Sequence, residues 1–309
     1  MNSLLNSKDQ LALSIGPYII KVSKLLRKNK SDLFPRCVDC FEINSDIHMG
    51  VSSIDYIIKE EEYNILPEDI LVGGYEDGPL PYKVYRKSSG DYLWLRQDAQ
   101  RNDILAFIIT KKWSEWRLIK DNTNSKWHNS FSELAYLFPY SILNKNGIMF
   151  HGVVMEWQGR GIIVSAYSGV GKTTHTRMWK EREAALILNG DRALCYKQQD
   201  GWYTCGAPWF GTSEEYLNRS VKIDAFVILD QARVNRVRAL GKLEGAIELI
   251  KHTFAPVWEE TLANNAFNHI NDMVEDIPIY LLECKPDYEA VDVLKTELSK
   301  KFNNVEKYS

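Results

Sequence analysis

The sequence predicts an α/β protein with a mixed-sheet C-terminal half and a β-rich α+β N-terminal half. Three observations support this prediction. From about residue 144, apolar strand-like runs alternate with segments of helical periodicity. One of these apolar runs leads into a glycine-rich segment that opens a helix. Before residue 144, short segments rich in Tyr, Trp, Ile and Val are separated by turn signals. We therefore divide the chain into regions 1–143 and 144–309.

The N-terminal region is predicted to be an antiparallel sheet with one helix. Its strand candidates are "YKVYR", "DYLWLR", "ILAFIIT" and "EWRLIK". Residues 8–28 could form a short helix, which Gly16-Pro17 would break. The segment "SFSELAYLFPYSIL" is predicted to be a helix that ends or kinks at Pro139. The region contains no catalytic constellation. Its position beside the C-terminal region is the sole basis for the hypothesis that it serves substrate recognition.

The C-terminal region is predicted to form a largely buried sheet with helices. "IMFHGVVMEW" and "GIIVSA" are strand candidates joined by a tight turn, and "AALIL", "AFVILDQ" and "IPIYLLE" are further apolar strands. "ALCYKQQDGWYTCGA" is a predicted hairpin with its turn at Asp200-Gly201. Helices are predicted after the glycine-rich segment, in "EGAIELIKH", in "WEETLANNAFNHINDMV" and at "DYEAVDVLKTELSKKF". The hairpins make the sheet mixed rather than parallel.

Composition and charge exclude several classes of partner. The chain of 309 residues is 45% hydrophobic and 26% charged, which is typical of a globular protein. A net charge of −3 and the lack of a long Lys/Arg run argue against nucleic acid and membrane surfaces as partners. The longest apolar runs are too short to span a bilayer. Five cysteines and an N-terminus without a secretory pattern lead us to expect a cytoplasmic protein.

The segment "SGVGKTT" has the pattern and the context of a phosphate-binding loop. Its glycines would let backbone N–H groups surround phosphates, and the helix N-terminus would add partial positive charge. Lys172 would reach the β- and γ-phosphates of ATP, and the Thr173 hydroxyl would ligate Mg²⁺. Ala166 departs from the usual pattern, which has glycine at this position. The predicted nucleotide-binding residues are Ser168, Gly169, Val170, Gly171, Lys172, Thr173 and Thr174.

Two aspartates follow apolar strands at the edge where ligands bind in such sheets. Asp191 comes after "AALILNG" and could be a metal ligand, a catalytic base or a turn residue. Asp230 ends "FVILD" in a similar way, and turn chemistry explains it equally well.

A histidine and an arginine complete the candidates for the site. His151 shares a strand face with apolar residues, a pattern that fits a structural role as well as a functional one. Arg219, in "YLNRSVKI", could stabilise the charge on a transferring phosphoryl group, although on its own it reads as a surface arginine.

Taken together, "HGVVMEWQGRGIIVSAYSGVGKTT" and "LILNGDRALCY" resemble the catalytic domain of HPr kinase/phosphorylase, which shares its fold with ATP-dependent phosphoenolpyruvate carboxykinase. The resemblance covers about residues 148–295. It implies a P-loop domain in which Lys172 and Thr173 bind phosphate and Mg²⁺. It also implies that His151 lies near the phosphoryl acceptor and that Asp191 acts as base on a serine hydroxyl. Hexamers occur in that family, so a homo-oligomer is possible.

The chain departs from that family at one informative position. The family usually has two adjacent carboxylates, and Gly190 stands at the first of them. Asp191 would then serve both metal and acceptor, or Asp230 would take over one task. The N-terminal region is also unlike the family's regulatory domain. We therefore expect an ATP- and Mg²⁺-dependent kinase that acts on a serine of a peptide or small protein other than HPr. The alternatives are a small-molecule kinase, a carboxykinase and a nucleotide-binding regulatory protein without transfer activity.

Overall fold

The structure, a computed structural model, describes residues 10–23, 36–43, 52–59, 63–75, 81–98, 103–119, 130–211 and 213–305. The chain divides into two compact units. The first contains residues 1–145 together with 256–263, and the second contains residues 146–255 and 264–309. Both units are built on a mixed sheet, so the protein is a mixed α/β protein. In the ranges given above, no helix is long and apolar enough to cross a membrane.

The first unit has a nine-stranded sheet in the order β3-β1-β2-β4-β9-β8-β7-β6-β5 and a helix, α1, at Ser130–Leu143. The strands are β1 Gln10–Ile15, β2 Tyr18–Ser23, β3 Glu42–Ile43, β4 Ser52–Lys59, β5 Ile70–Tyr75, β6 Tyr82–Arg86, β7 Tyr92–Asp98, β8 Asp103–Ile109 and β9 Glu115–Ile119; a 3₁₀ helix covers Arg36–Phe41. Strands β6 to β9 coincide with the four predicted strands.

The structure departs from the expectations for this unit in three places. The four predicted strands, β6 to β9, pair antiparallel as expected, but the whole sheet is mixed, because β4 pairs in parallel with both β2 and β9. The expected helix at residues 8–28 is, over its described part, the hairpin of β1 and β2. Gly16 has φ 56° at the hairpin turn, and alternate apolar side chains such as Leu13 and Ile20 are buried. Pro139 does not end α1, which continues to Leu143.

The second unit combines a sheet in the order β11-β10-β13-β14-β15-β17-β16 with helices, and β12 pairs with β10. Its strands are β10 Gly147–Trp157, β11 Arg160–Ser165, β12 Leu186–Asn189, β13 Arg192–Gln198, β14 Gly201–Cys205, β15 Ser220–Gln231, β16 Arg236–Ala239 and β17 Ile279–Cys284. Its helices are α2 Lys172–Glu183, α3 Lys242–His252, α4 Glu260–Asp276, which begins in the first unit, and α5 Tyr288–Val305. Of these, the sequence pattern missed only β16, which is short and polar.

Strand β10 changes partners where the candidate site lies. Up to His151 it pairs with β13, whereas from Gly152 it pairs with β11, and beyond that with β12 on the opposite edge. Strands β10, β13, β14, β15 and β11 pair successively and close a ring. The pairing of β12 with β10 ends next to this change of partner. The β12–β13 connection that carries Asp191 is therefore held beside His151 and Gly152.

The core of the second unit fixes the helix that follows the glycine-rich loop. Apolar side chains of the sheet pack with Met178 and Trp179 of α2 and with one face of α5. The Trp157 and Trp179 rings meet edge to face with centroids 5.2 Å apart. Truncating a buried tryptophan such as Trp179 to alanine typically costs about 3–5 kcal/mol. Packing at this depth therefore holds α2, and with it the loop, in a defined position.

Candidate functional site

The glycine-rich loop connects β11 to α2, as the sequence pattern predicts. Gly169 and Gly171 have φ values of 82° and 117°, in the left-handed region that favours glycine. A Cβ atom added to either glycine would meet nothing within 4 Å, so both face open space. Ala166 is fully enclosed in the core, where its methyl group belongs to the apolar cluster of the second unit.

The Lys172 side chain turns back over the loop. Its Nζ donates a hydrogen bond to the Ala166 carbonyl oxygen at 2.8 Å and lies 3.5 Å from the Tyr167 carbonyl oxygen. Burial lowers the pKa of Lys172, and the nearby charge of Asp191 partly opposes this effect. The ammonium group is therefore held at the loop, where it could exchange backbone carbonyls for phosphate oxygens. Thr173 is exposed at the first turn of α2, whose N–H groups have no partners within the helix.

Asp191 and His151 form a pair beside the loop. The His151 Nε2 atom lies 3.3 Å from one Asp191 carboxylate oxygen, and the Arg192 Nε atom lies 3.6 Å from the other. Burial alone would raise the pKa of Asp191. The hydrogen bond from His151 and the charges of Arg192 and Lys172 outweigh burial, so the pKa lies below its ordinary value. Asp191 is consequently a carboxylate at neutral pH.

A buried asparagine positions this aspartate. The Asn189 Oδ1 atom accepts hydrogen bonds from the backbone N–H groups of Asp191 at 2.9 Å and Arg192 at 2.7 Å. Its Nδ2 atom donates to the carbonyl oxygens of Ala207 and Trp209, both at 2.9 Å. The Asn189 side chain is fully buried, and these four hydrogen bonds satisfy both its amide oxygen and its amide nitrogen. Asn189 therefore ties the β12–β13 connection to the segment that follows β14.

The backbone next to His151 is fixed in a similar way. The buried Ser165, the last residue of β11, donates its hydroxyl hydrogen to the His151 carbonyl oxygen at 2.6 Å. The Gly152 N–H donates to the Asp191 carbonyl oxygen at 2.9 Å. These hydrogen bonds connect β10, the end of β11 and the β12–β13 connection. They therefore hold the backbones of Asp191 and His151 in fixed positions relative to each other.

The other two candidates, Arg219 and Asp230, have different surroundings. The Arg219 guanidinium makes a two-point ion pair with Glu156, with nitrogen–oxygen distances of 2.5 and 2.6 Å. Glu156 pairs with Gly161 at the start of β11, whereas the loop follows its end. The structure thus does not bring Arg219 to Lys172 and Asp191. Asp230 is exposed at the end of β15, on the same edge as the loop, because β15 pairs in parallel with β11 and the Gln231 side chain donates to the Val170 carbonyl oxygen. Its carboxylate accepts a hydrogen bond from the Gln231 N–H, a local turn contact.

A cavity of about 550 Å³ adjoins the first turns of α2. Thr173 lines one side of it, Gly190 and Ser213 line another, and Val153 and Ile187 contribute apolar surface. Lys180 and Glu215, which form an ion pair at 2.6 Å, also line it. Its volume is within the usual range for small-molecule sites. Space for a ligand therefore exists on the Asp191 side of the loop.

The residues present have the chemistry to hold a phosphate group and Mg²⁺. The two glycines leave an open cradle at a helix N-terminus, the geometry that suits phosphate. Thr173 and Asp191 supply a hydroxyl and a carboxylate oxygen, the donor types that Mg²⁺ prefers.

Comparisons with known proteins identify the family of this chain. A family model described as "ScmC: SynChlorMet cassette protein ScmC" matches residues 119–288, which is 170 of the 309 residues. The chain belongs to this ScmC family. No curated protein matches this ScmC family member. Among solved structures, it is similar to one described as the Hpr(Ser) kinase/phosphatase from Coxiella burnetii, with 8% identity and a TM-score of 0.32. That alignment covers 52% of this chain and 93% of the other.

Sequence reasoning overlooked three residues that organise the site of this ScmC family member. Asn189 could have been found, because Asn-Gly-Asp after a buried strand is typical of a turn in which the asparagine side chain accepts backbone N–H groups. Ser165 gave no separate signal within its apolar strand. Ser213, which packs against Gly190, is remote in sequence and could be found only from the structure.

Proposed function

We propose that this ScmC family member is an ATP- and Mg²⁺-dependent kinase that phosphorylates a hydroxyl group, most specifically a serine of a peptide or small protein. The observation that supports this proposal is the arrangement of Lys172 at the open glycine loop with an ionised Asp191 beside it. The first would hold phosphates and the second would face the acceptor. Phosphoryl transfer needs positioning and charge stabilisation more than covalent participation of the protein.

The proposed step is a direct displacement. The acceptor hydroxyl oxygen forms a bond to the γ-phosphorus of ATP while the bond from this phosphorus to the β,γ-bridging oxygen breaks. ADP leaves, and the hydroxyl proton passes to the Asp191 carboxylate. His151, 3.3 Å from that carboxylate, would orient it, and Lys172 would offset charge on the phosphates. Arg219 has no part in this step, because Glu156 holds it at the other end of β11.

Bound Mg²⁺ would neutralise phosphate charge, with Thr173 and Asp191 as the oxygen ligands from this chain. The acceptor would enter through the cavity of about 550 Å³ next to Thr173. A serine side chain on a flexible peptide can reach such a cavity, whose lining includes both Lys180 and Glu215. The preference for a peptide rests on the sequence resemblance to serine kinases of this type.

A regulatory protein that binds nucleotide without transfer is the second candidate, and Gly190 favours it. Its side-chain position is blocked, so a second carboxylate cannot stand there. A small-molecule kinase is the third candidate, since the cavity volume suits a small alcohol as well as a serine. The product distinguishes both alternatives from the first proposal. A regulatory protein would form no phosphorylated product, and a small-molecule kinase would form a phosphorylated small alcohol.

Isothermal titration of the purified protein with Mg-ATP and with the non-hydrolysable analogue AMP-PNP tests the binding half of the proposal. We expect binding that disappears in Lys172→Ala. A matched control, Lys300→Ala, removes an exposed lysine of α5 and should bind as the wild type does. Equal binding by wild type and Lys172→Ala would contradict the assignment of the loop.

A further inference from the structure

Gly190 and Ser213 compete for one space in the site. A Cβ atom at Gly190 would lie 1.6 Å from the Ser213 Oγ atom and 2.7 Å from its Cβ atom, distances that no packing tolerates. The next nearest atom, the Phe210 carbonyl oxygen, would be 3.4 Å away, an ordinary contact. Gly190 is not among the residues with positive φ, so space rather than backbone conformation requires glycine here.

The Ser213 hydroxyl has a defined place and remaining hydrogen-bonding capacity. It donates a hydrogen bond to the Phe210 carbonyl oxygen at 3.1 Å and accepts one from the Glu215 N–H at 3.4 Å, which leaves one lone pair of its oxygen. The Gly190 N–H donates to the Glu215 carbonyl oxygen at 3.1 Å, so the two segments are bound together. A hydroxyl that donates one hydrogen bond still has an oxygen lone pair to offer. Ser213 lines the same cavity as Thr173.

We propose that the Ser213 hydroxyl takes the place of a carboxylate at position 190 and supplies a neutral oxygen to the hydrated Mg²⁺ of the bound nucleotide. This inference rests on the proposed function. Mg²⁺ keeps several of its waters in such sites, so a hydroxyl beside the cavity can hold one of them. Thr173 and Asp191 provide the other oxygens from this chain.

The use of a hydroxyl has a consequence for charge. Of the three proposed oxygen ligands from this chain, Thr173, Ser213 and Asp191, only Asp191 is charged. The affinity of an oxygen site for a divalent cation rises with the number of charged ligands. The protein should therefore bind divalent cation poorly on its own and well only when nucleotide phosphates are present.

The test measures Mn²⁺ binding by electron paramagnetic resonance of the free ion, without AMP-PNP and with AMP-PNP at a protein excess that leaves little nucleotide free to complex Mn²⁺ in solution. The variants are Ser213→Ala, the exchange Gly190→Asp with Ser213→Gly, and Thr296→Ala as a control that removes an exposed hydroxyl of α5. We expect Ser213→Ala to weaken Mn²⁺ binding in the presence of AMP-PNP by about tenfold, the lower range for groups that orient metal ligands. The exchange should create Mn²⁺ binding without nucleotide. Gly190→Asp alone should lower the melting temperature because of the clash with Ser213.

Two results would overturn the inference. One is Mn²⁺ affinity in Ser213→Ala equal to that in Thr296→Ala. The other is an exchange variant that keeps the wild-type melting temperature but gains no Mn²⁺ binding without nucleotide. In both cases AMP-PNP binding by the wild type would leave the proposed function standing. If the wild type binds no AMP-PNP, the proposed function itself fails, and the two failures are thereby distinguished.

Discussion

At the scale of single residues, the contacts of Asp191 and its lowered pKa both support the role proposed for it. Its carboxylate lies within 3.3 Å of His151 Nε2, its pKa is lowered, and its backbone N–H is held by Asn189. A carboxylate with a low pKa is a weak base in the resting protein. It suits a group that orients the acceptor hydroxyl and receives the proton late in the transfer.

Asp191→Asn should therefore reduce the turnover number by about 10²–10⁴-fold while changing the affinity for AMP-PNP much less. The reason is that the amide keeps the shape of the side chain but cannot accept the proton. Turnover and binding would be measured on the same preparations. Asp200→Asn is the matched control, because Asp200 is an exposed aspartate at the β13–β14 turn, where it pairs with Lys222. Turnover in Asp191→Asn equal to that in Asp200→Asn would remove the assigned role.

Glu133 predicts a pH dependence of stability in the first unit. This side chain is buried next to Arg96, with 2.9 Å between Glu133 Oε1 and Arg96 Nε, and burial raises its pKa to about 7 despite the opposing arginine charge. The folded state then holds a proton that the unfolded state releases near pH 4.5. From this group, the free energy of unfolding should fall as pH rises from about 4.5 to 7, by at most about 1.4 kcal/mol per pH unit.

Urea denaturation of the wild type and of Glu133→Gln at pH 5 and pH 7.5 would measure this effect. We expect a smaller difference between the two pH values in Glu133→Gln, because glutamine does not titrate. Glu297→Gln, which changes a glutamate paired with Lys300 on α5, controls for surface charge. A pH difference in Glu133→Gln as large as that of the wild type would show that Glu133 is not the titrating group.

At the scale of elements, the connection between β12 and β13 is held by Asn189. Replacing it with alanine would leave two backbone N–H groups and two carbonyl oxygens without their side-chain partner. Each buried polar group left unsatisfied costs about 1–3 kcal/mol. Asn189→Ala should therefore lower the free energy of unfolding by about 3 kcal/mol or more and reduce turnover even where the protein remains folded.

Thermal unfolding monitored by circular dichroism would show the loss of stability, with Asn271→Ala on the exposed face of α4 as control. Turnover measured well below the melting temperature separates positioning from stability. If Asn189→Ala unfolds like the control, then the four hydrogen bonds do not hold the connection as described.

The elements that the sequence predicted are those with strong local signals. The hairpin of β10 and β11, the loop with Gly169 and Gly171 and the start of α2 follow from apolar runs and turn residues within a few positions. The β1–β2 hairpin was not predicted, because its apolar residues match helical spacing almost as well as alternation. The parallel pairing of β4 with β2 and β9 depends on strands distant in sequence and has no local signature.

Two contacts in and near the site could not be predicted from local sequence patterns either. Arg219 looked available for phosphate, and only the fold shows that Glu156, 63 residues earlier, holds it. Gly190 read as the simple loss of a carboxylate, whereas the structure shows that Ser213 fills its space. In both cases the deciding contact joins residues from different elements. The roles of the site residues themselves remain predictions.

At the scale of the whole molecule, the segment 256–263 belongs to the first unit although the chain around it belongs to the second. Its Trp258 lies among the rings of Tyr92, Trp113 and Tyr140, with centroid distances of 5.6 to 6.1 Å. Gly73 faces the indole so closely that a Cβ atom there would lie 2.5 Å from it. This aromatic cluster anchors the segment.

Trp258→Ala should lower the free energy of unfolding by about 2 kcal/mol, less than for a fully enclosed tryptophan because this ring is half-buried. Near-ultraviolet circular dichroism should lose intensity as the cluster loosens, while Trp258→Phe should keep most of both signals. An unchanged near-ultraviolet spectrum in Trp258→Ala would contradict the packing of the segment.

The most direct test of the central claim is phosphate transfer measured by intact mass. The purified protein would be incubated with Mg-ATP and a panel of acceptors: HPr, serine-containing peptides encoded beside this protein, free serine and small alcohols, with Lys172→Ala as the blank. We expect one acceptor, a peptide or small protein, to gain the mass of one phosphate with the wild type and none with the blank. Bound ATP that is never transferred to any member of this panel would contradict the kinase proposal and favour a regulatory nucleotide-binding protein.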